Sequence, residues 1–245
     1  MDVVGVIPAR YGSTRLAAKA LVDILGKPMI QHIYERTRAA PILDDLIVAT
    51  DDERIKETVD QFGGKAVLTS KEHRSGTERL TEVVFDLDVK VIVNIQGDEP
   101  LVHPSMINDV AYALLENSEL VMATLKHQIT DINEINNPNV VKVVTDKNNF
   151  ALYFSRSAIP NISRKKEDFT VNFYKHIGIY AYTKDFLLTF KGLKQSRLET
   201  AESLEQLRAL EHGYRIKVLE TKHNTIGVDT EEDLRKATDI FKNAP

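Results

Sequence analysis

Short apolar, largely β-branched runs alternate with segments of helical periodicity through the first hundred residues. This pattern constrains the fold more than any other feature of the chain. The runs are residues 3 to 8, 46 to 49, 65 to 69 and 89 to 95. Between them, Met29, Ile30, Ile33, Tyr34 and Thr37 recur at helical spacing behind Pro28, a residue suited to the first helical position. Ile55, Val59 and Phe62 form a second stripe, with Asp51 as its expected cap and Gly63 as its stop. Ser75 and Glu78 make an S-x-x-E capping box ahead of an apolar face of Leu80, Val83, Val84 and Leu87. Strands alternating with helices argue for an α/β domain with a mainly parallel sheet and helices on both faces.

The second half is less regular. Residues 140 to 145 and 150 to 154 flank Asp146-Lys147-Asn148-Asn149, which predicts a hairpin. Residues 161 to 168 are polar and basic and read as an exposed loop, and residues 176 to 182 as a strand. Leu204, Leu207 and Leu210 mark a helix that Gly213 can stop, followed by a strand at 215 to 219 and a closing helix at 231 to 241. No repeat, low-complexity tract or linker interrupts the chain. Its 245 residues therefore fit a single domain over 1 to 245, with a small β-rich lobe expected near residues 130 to 200.

Composition removes several function classes. The net charge of −4, with acids and bases mixed, gives no general nucleic-acid surface. With no cysteine, disulfides, thiolate metal sites and cysteine nucleophiles are excluded. No apolar run approaches membrane-spanning length, and the start MDVVGVIPAR lacks the basic region of a secretion signal. A cytoplasmic protein is expected.

The candidate chemistry lies where strands end. VIVNIQGDEP, residues 91 to 100, breaks from an apolar run into Gln96, Gly97, Asp98 and Glu99. Gly-Asp pairs are common in turns, but in open α/β sheets ligands bind beyond the carboxyl ends of the strands. An acid there can hold a hard cation such as Mg²⁺ together with a substrate phosphate. The first strand runs into PARYGSTRLAAKAL, which sets Arg10, Arg15 and Lys19 around Gly12, Ser13 and Thr14. Such a loop is either a solvated basic turn or a phosphate site built from a turning backbone, a hydroxyl and cations. Neither G-x-G-x-x-G nor a Walker A loop is present.

IPARYGSTRL, ATDDERI, HRSGTERL, NIQGDEP, ALYFSRSAIP, KHIGIYAY, LEQLRALE and GVDTEEDL occur in that order across nearly the whole chain. The ordered set resembles the 3-deoxy-manno-octulosonate cytidylyltransferases, or CMP-Kdo synthetases. The resemblance implies a Rossmann-like nucleotidyltransferase sheet, with the β-rich lobe serving dimerisation and sugar binding. It also implies a cytoplasmic homodimer that uses CTP and Mg²⁺ to activate Kdo for lipopolysaccharide assembly. By that resemblance, Arg10, Ser13, Arg15 and Lys19 bind the triphosphate, and Arg74, Ser75 and Gly76 surround the cytosine. Asp98 and Asp229 bind Mg²⁺ and, with Lys19, form the catalytic set. Gln96, Arg156, His176, Glu205 and Gln206 face the sugar acid. Several of these residues also have plain structural readings: Ser75 and Asp229 as helix caps, Arg156 as a surface charge, His176 as a structural histidine, and Glu205 and Gln206 as a solvent-facing helix edge.

The chain departs from the family at Leu16-Ala17-Ala18-Lys19-Ala20, where a Pro-Gly or similar pair usually precedes the lysine. The change affects loop stiffness and leaves the cations in place. The nearest rival function is a cytidylyltransferase for another sugar acid, such as an 8-amino Kdo analogue or a sialic acid. A rival of another class is a catalytically silent nucleotide-binding regulator, and the intact Lys19, Asp98 and Asp229 argue against it.

Overall fold

The first strand, β1 (Val3–Ala9), is buried on both faces. Val3 and Ile7 enter one apolar cluster, and Val4 and Val6 enter the other. A strand covered on both sides has no solvent-facing positions, which accounts for its unbroken apolar run. The computed structural model describes residues 1 to 12, 16 to 73, 75 to 162 and 171 to 243.

From β1 the chain passes through a 3₁₀ turn, Lys19–Leu21, and a two-strand ribbon of β2 (Asp23–Ile24) and β3 (Lys27–Pro28) into α1 (Met29–Arg38). Pro28 stands at the N-cap and not at the first helical position. Its pairing with Asp23 in the ribbon holds it extended, with ψ at 144°. Next come β4 (Asp45–Thr50), α2 (Glu53–Gln61), β5 (Ala66–Leu68) and α3 (Gly76–Val84). Asp52 caps α2 in place of the expected Asp51, accepting from the Arg54 N–H. Asp51 is drawn elsewhere, to the Arg79 guanidinium at 2.8 Å. The Ser75 hydroxyl caps α3 as expected, accepting from the Glu78 N–H at 3.2 Å.

The chain continues through β6 (Val91–Asn94), α4 (Pro104–Glu116), β7 (Met122–Gln128), α5 (Ile132–Asn136), β8 (Lys142–Thr145) and β9 (Ala151–Ser155). It ends with β10 (Tyr174–Thr183), α6 (Lys184–Gly192), α7 (Arg197–Glu202), α8 (Gln206–Glu211), β11 (Lys217–Glu220) and α9 (Glu231–Asn243). The sheet order is β11-β7-β10-β6-β1-β4-β5. β6, β1, β4 and β5 are mutually parallel, as are β11 and β7, while β10 runs antiparallel to β6, β7 and β8. Helices α1, α2, α4 and α9 cover one face, and α3, α6 and α8 the other.

The predicted hairpin forms between β8 and β9. The Asp146 carboxylate accepts from the Asn148 and Phe150 N–H groups, both at 2.8 Å, and Asn149 adopts φ 59°. β8 pairs with β10, so the hairpin extends the main sheet. The β-rich part is thus narrower than residues 130 to 200, a stretch that also contains α5, α6 and part of α7.

β1 lies between β4 and β6. The chain leaves β1 toward β4 and returns to β6 on the other flank, so the carboxyl ends of β1 and β6 open at a reversal of strand order, where α/β sheets bind ligands. Gly97 closes this point. A Cβ there would stand 2.5 Å from the Pro8 carbonyl oxygen, a backbone atom that cannot swing aside. Gly97→Ala should therefore push the β6 loop off β1. The expected cost is about 1–3 kcal/mol in urea unfolding, with a fall in activity; unchanged stability and activity would contradict this tight approach.

Candidate active site

A cavity of about 380 Å³ opens at the ends of β1 and β6. The loop after β1 contributes Arg10 and Lys19, the start of α3 contributes Ser75 and Gly76, and the loop after β6 contributes Gln96, Gly97 and Asp98. Asp229, at the far end of the chain, completes the wall. Ser13, Arg15 and Arg74 lie outside the described residues, as do residues 163 to 168 of the basic loop.

Lys19 ties three parts of the chain together. Its ammonium donates to Asp98 Oδ2 at 2.6 Å and to Asp229 Oδ1 at 2.9 Å. Burial alone would lower the Lys19 pKa, but the two carboxylates outweigh it and raise the pKa above its ordinary value. Backbone bonding reinforces the arrangement, since the Val228 N–H donates to the Asp98 carbonyl at 2.8 Å. The helix-cap reading of Asp229 does not hold. Thr230 Oγ1 accepts from the Asp233 N–H, and the Asp233 carboxylate takes the N–H groups of Asp229 and Thr230. The Asp229 carboxylate faces Lys19.

The departure before Lys19 has a local cost. Ala18 adopts φ 50° and ψ 36°, a left-handed conformation that costs a residue with a Cβ roughly 1–2 kcal/mol. Glycine relieves that cost, which explains why a glycine suits the position just before this lysine.

A second cavity, of about 200 Å³, adjoins the first through Gln96, which lines both. His176, Glu205 and Gln206 line it, together with Asn94, Tyr180 and Tyr182. Gln96 is steadied by its amide donating to the Gly178 carbonyl at 3.1 Å. Asn94 Oδ1 and Gln206 Nε2 are buried without a protein partner. Unpaired buried polar atoms are costly, so these two are apt to meet a polar ligand. His176 Nε2 lies 2.9 Å from Thr124 Oγ1, which is also 3.1 and 2.8 Å from the Ile177 and Ile179 carbonyls. The hydroxyl gives its one proton to a carbonyl, so Nε2–H donates to Thr124 and Nδ1 keeps a free lone pair. Desolvation pulls the His176 pKa down to about 3, so the ring stays neutral.

Arg156 is not among the residues lining either cavity. Its guanidinium donates to the carbonyls of Glu202 at 2.7 Å, Pro138 at 3.0 Å and Ser203 at 3.4 Å. Beside it, the fully buried Lys142 donates to the carbonyls of Asn137, Val140 and Arg156 itself. In this arrangement Arg156 knits the hairpin to α7.

Sequence reasoning passed over two charged residues. Arg79 is buried within α3, donates to Asp51 and Thr69, and lines the first cavity. The sequence signal was an arginine set directly against the apolar face of that helix. Glu99 follows Asp98, and its Oε2 is buried without a partner. Burial, then the neighbouring Asp98 charge, pushes its pKa up to about 7.

The family model for cytidylyltransferases matches residues 4 to 218. The chain is 52% identical over 250 residues to the 3-deoxy-manno-octulosonate cytidylyltransferase of Geotalea uraniireducens, covering 99% of this chain and 100% of that one. It is 51% identical over 243 residues to the same enzyme of Fusobacterium nucleatum, covering 99% and 98%. Among solved structures it matches CMP:2-keto-3-deoxy-manno-octonic acid synthetase complexed with CTP at 43% identity and a TM-score of 0.93, over 99% of both chains.

The depressed His176 pKa sets an acid dependence. The unfolded chain takes up this proton near pH 6.5 while the folded ring resists it to about pH 3. Stability tied to His176 is therefore fully present above pH 6.5 and is lost as pH falls through this window. His176→Gln should flatten the fall of Tm between about pH 6.5 and 4; an unchanged slope would mean that the imidazole titrates freely.

Proposed function

This chain belongs to the 3-deoxy-manno-octulosonate cytidylyltransferases, and from that membership we propose that it transfers CMP from CTP to the anomeric hydroxyl of Kdo. The products are CMP-Kdo and pyrophosphate. One observation carries the reading: Asp98, Lys19 and Asp229 converge at the mouth of β1 and β6, beside a cavity of uncharged and acidic groups suited to hydroxyls. A nucleotide and a sugar placed in these adjoining cavities would meet at Gln96.

The attacking hydroxyl oxygen forms a bond to the α-phosphorus, the bond to the bridging oxygen of the β-phosphate breaks with its electron pair leaving on pyrophosphate, and the hydroxyl proton passes to solvent water. Arg10 and Lys19, with Ser13 and Arg15, bind the triphosphate and offset the charge on the leaving pyrophosphate. Arg74, Ser75 and Gly76 hold the base at the capped start of α3, a rigid mount. Gln96, His176, Glu205 and Gln206 orient the sugar hydroxyls, with His176 Nδ1 accepting one hydroxyl proton in a hydrogen bond. Arg156 contributes to the sugar carboxylate by holding the hairpin, and would reach it directly only by exchanging its carbonyl partners. Positioning and electrostatics supply most of the rate in such a transfer.

The donor set fits Mg²⁺. No group of three or more His, Cys, Asp or Glu suited to a metal occurs among the described residues. Asp98 and Asp229 nonetheless converge on one cation, the Lys19 ammonium. Mg²⁺ commonly takes one or two carboxylates and completes its shell with water and substrate phosphate. When bound, it would favour deprotonation of the hydroxyl and offset charge at the α-phosphate.

Placement of the enzyme in the cytoplasm, in lipopolysaccharide assembly and in a homodimer is part of the same reading. No helix among the described residues is long and apolar enough to cross a membrane.

Pyrophosphate release with CTP and a panel of Kdo, 8-amino-Kdo and sialic acid tests the function. Kdo should give the highest kcat/KM, and turnover of another acid alone would overturn the substrate. In the same assay Asp98→Asn and Asp229→Asn should each lower kcat roughly 100-fold or more and raise the Mg²⁺ requirement. The double variant should lose far less than the product of the two. Fully multiplicative losses with unchanged Mg²⁺ titrations would contradict a shared site.

A further inference from the structure

The start of α3 and the start of α8 are joined by one side-chain hydrogen bond between residues 128 positions apart. Thr77 Oγ1 donates to Glu205 Oε2 at 2.5 Å. Thr77 follows Ser75 and Gly76, which line the first cavity, and is 3% exposed. Glu205 lines the second cavity and is the N-cap residue of α8, where its own side chain makes no cap bond. Its other oxygen lies 3.7 Å from the Arg208 guanidinium.

We propose that Thr77 is a positioning residue that couples the two substrates, holding the Glu205 carboxylate on the sugar side in register with the nucleotide loop at the start of α3. This rests on the reading of the first cavity as the nucleotide site and the second as the sugar-acid site.

The physical case has three parts. A carboxylate that accepts a hydroxyl proton on one oxygen and faces a guanidinium with the other has its plane fixed, so its remaining lone pairs point in set directions. Sugar hydroxyls can then bind without first ordering the acid. Second, Thr77 is held on the nucleotide side. Its carbonyl accepts from the Thr81 hydroxyl at 2.8 Å, and the Ser75 hydroxyl caps the same turn. Any movement of the Ser75-Gly76 turn on binding a base therefore carries the Thr77 hydroxyl with it. Third, the sheet beneath offers a stop: the Tyr182 hydroxyl lies beside both Thr77 and Asn94, and Tyr182 is buried on β10. Among the described residues Gln96 alone lines both cavities, and it is tied to Gly178, not to α3, so the Thr77–Glu205 bond is a separate link between the two sides.

Coupling of this kind is reciprocal: if nucleotide tightens sugar binding by some factor, sugar tightens nucleotide binding by the same factor. The test uses α,β-methylene-CTP, which cannot transfer its nucleotidyl group, and Kdo, with the dissociation constant of each measured calorimetrically alone and in the presence of the other. The intact protein should show each ligand tightening the other by at least about fivefold. Thr77→Val keeps the side-chain shape and removes the hydroxyl. It should bring that factor close to one, leave α,β-methylene-CTP affinity alone within about twofold, and change Tm little. Thr77→Ser should restore the coupling, which a purely structural role for the methyl group would not do. Equal coupling in the intact and Thr77→Val proteins would overturn the proposal, as would two ligands that bind the intact protein independently. Failure of the intact protein to bind either ligand would instead overturn the functional reading on which it rests.

Discussion

The Lys19 ammonium, placed between the carboxylates of Asp98 and Asp229, is the interaction around which the rest of the site is arranged. It joins a loop near the start of the chain, the end of a central strand and a segment more than two hundred residues away. Two acids brought to one point repel each other unless a cation lies between them, so the geometry needs a positive charge there. The ammonium meets that need in the protein alone. It also shows that the two acids are aimed at one position, which is the condition for gripping a divalent ion.

The fold makes this convergence possible. β1 and β6 are adjacent and parallel, so their carboxyl ends deliver the Lys19 loop and Asp98 to the same edge. Gly97 permits the β6 loop to sit against Pro8, and the Val228–Asp98 backbone bond brings in Asp229. The antiparallel β10, on the other side of β6, turns His176, Tyr180 and Tyr182 toward a separate cavity that shares Gln96. Cationic and acidic groups thus line the cavity on one side of β6, and uncharged polar groups with one carboxylate line the cavity on the other. This division of labour suits a reaction that joins a triphosphate to a polyol.

Most strands and helices were legible because burial leaves a direct trace in the sequence. β1 and β6 are covered on both faces and read as unbroken apolar runs, while α1 and α2 are covered on one and read as stripes. Details set by competition between partners were less legible. Asp51 and Asp52 are both plausible caps, and only the position of Arg79 decides that Asp51 goes elsewhere. The direction of β10 depends on where a long connection returns, which local periodicity does not encode. The placement of Gln96 and Asp98 was legible because they directly follow the buried strand β6, and that of Lys19 because it lies in the loop that leaves β1. The engagement of Arg156 was not, since its carbonyl partners at Pro138, Glu202 and Ser203 come from two distant segments with no side-chain signature. Thr77, in the first turn of α3, carries no sequence signal for the same reason: its partner Glu205 lies at the start of another helix.

The central claim is that Asp98 and Asp229 together hold the catalytic cation against the nucleotide. A crystal structure with Mg²⁺ and α,β-methylene-CTP tests it most directly. The account predicts that both carboxylates reach one Mg²⁺ ion, directly or through water, on the α-phosphate side, with Lys19 turned to the phosphates. A metal carried by the phosphates alone, with Lys19 still bridging Asp98 and Asp229, would contradict it.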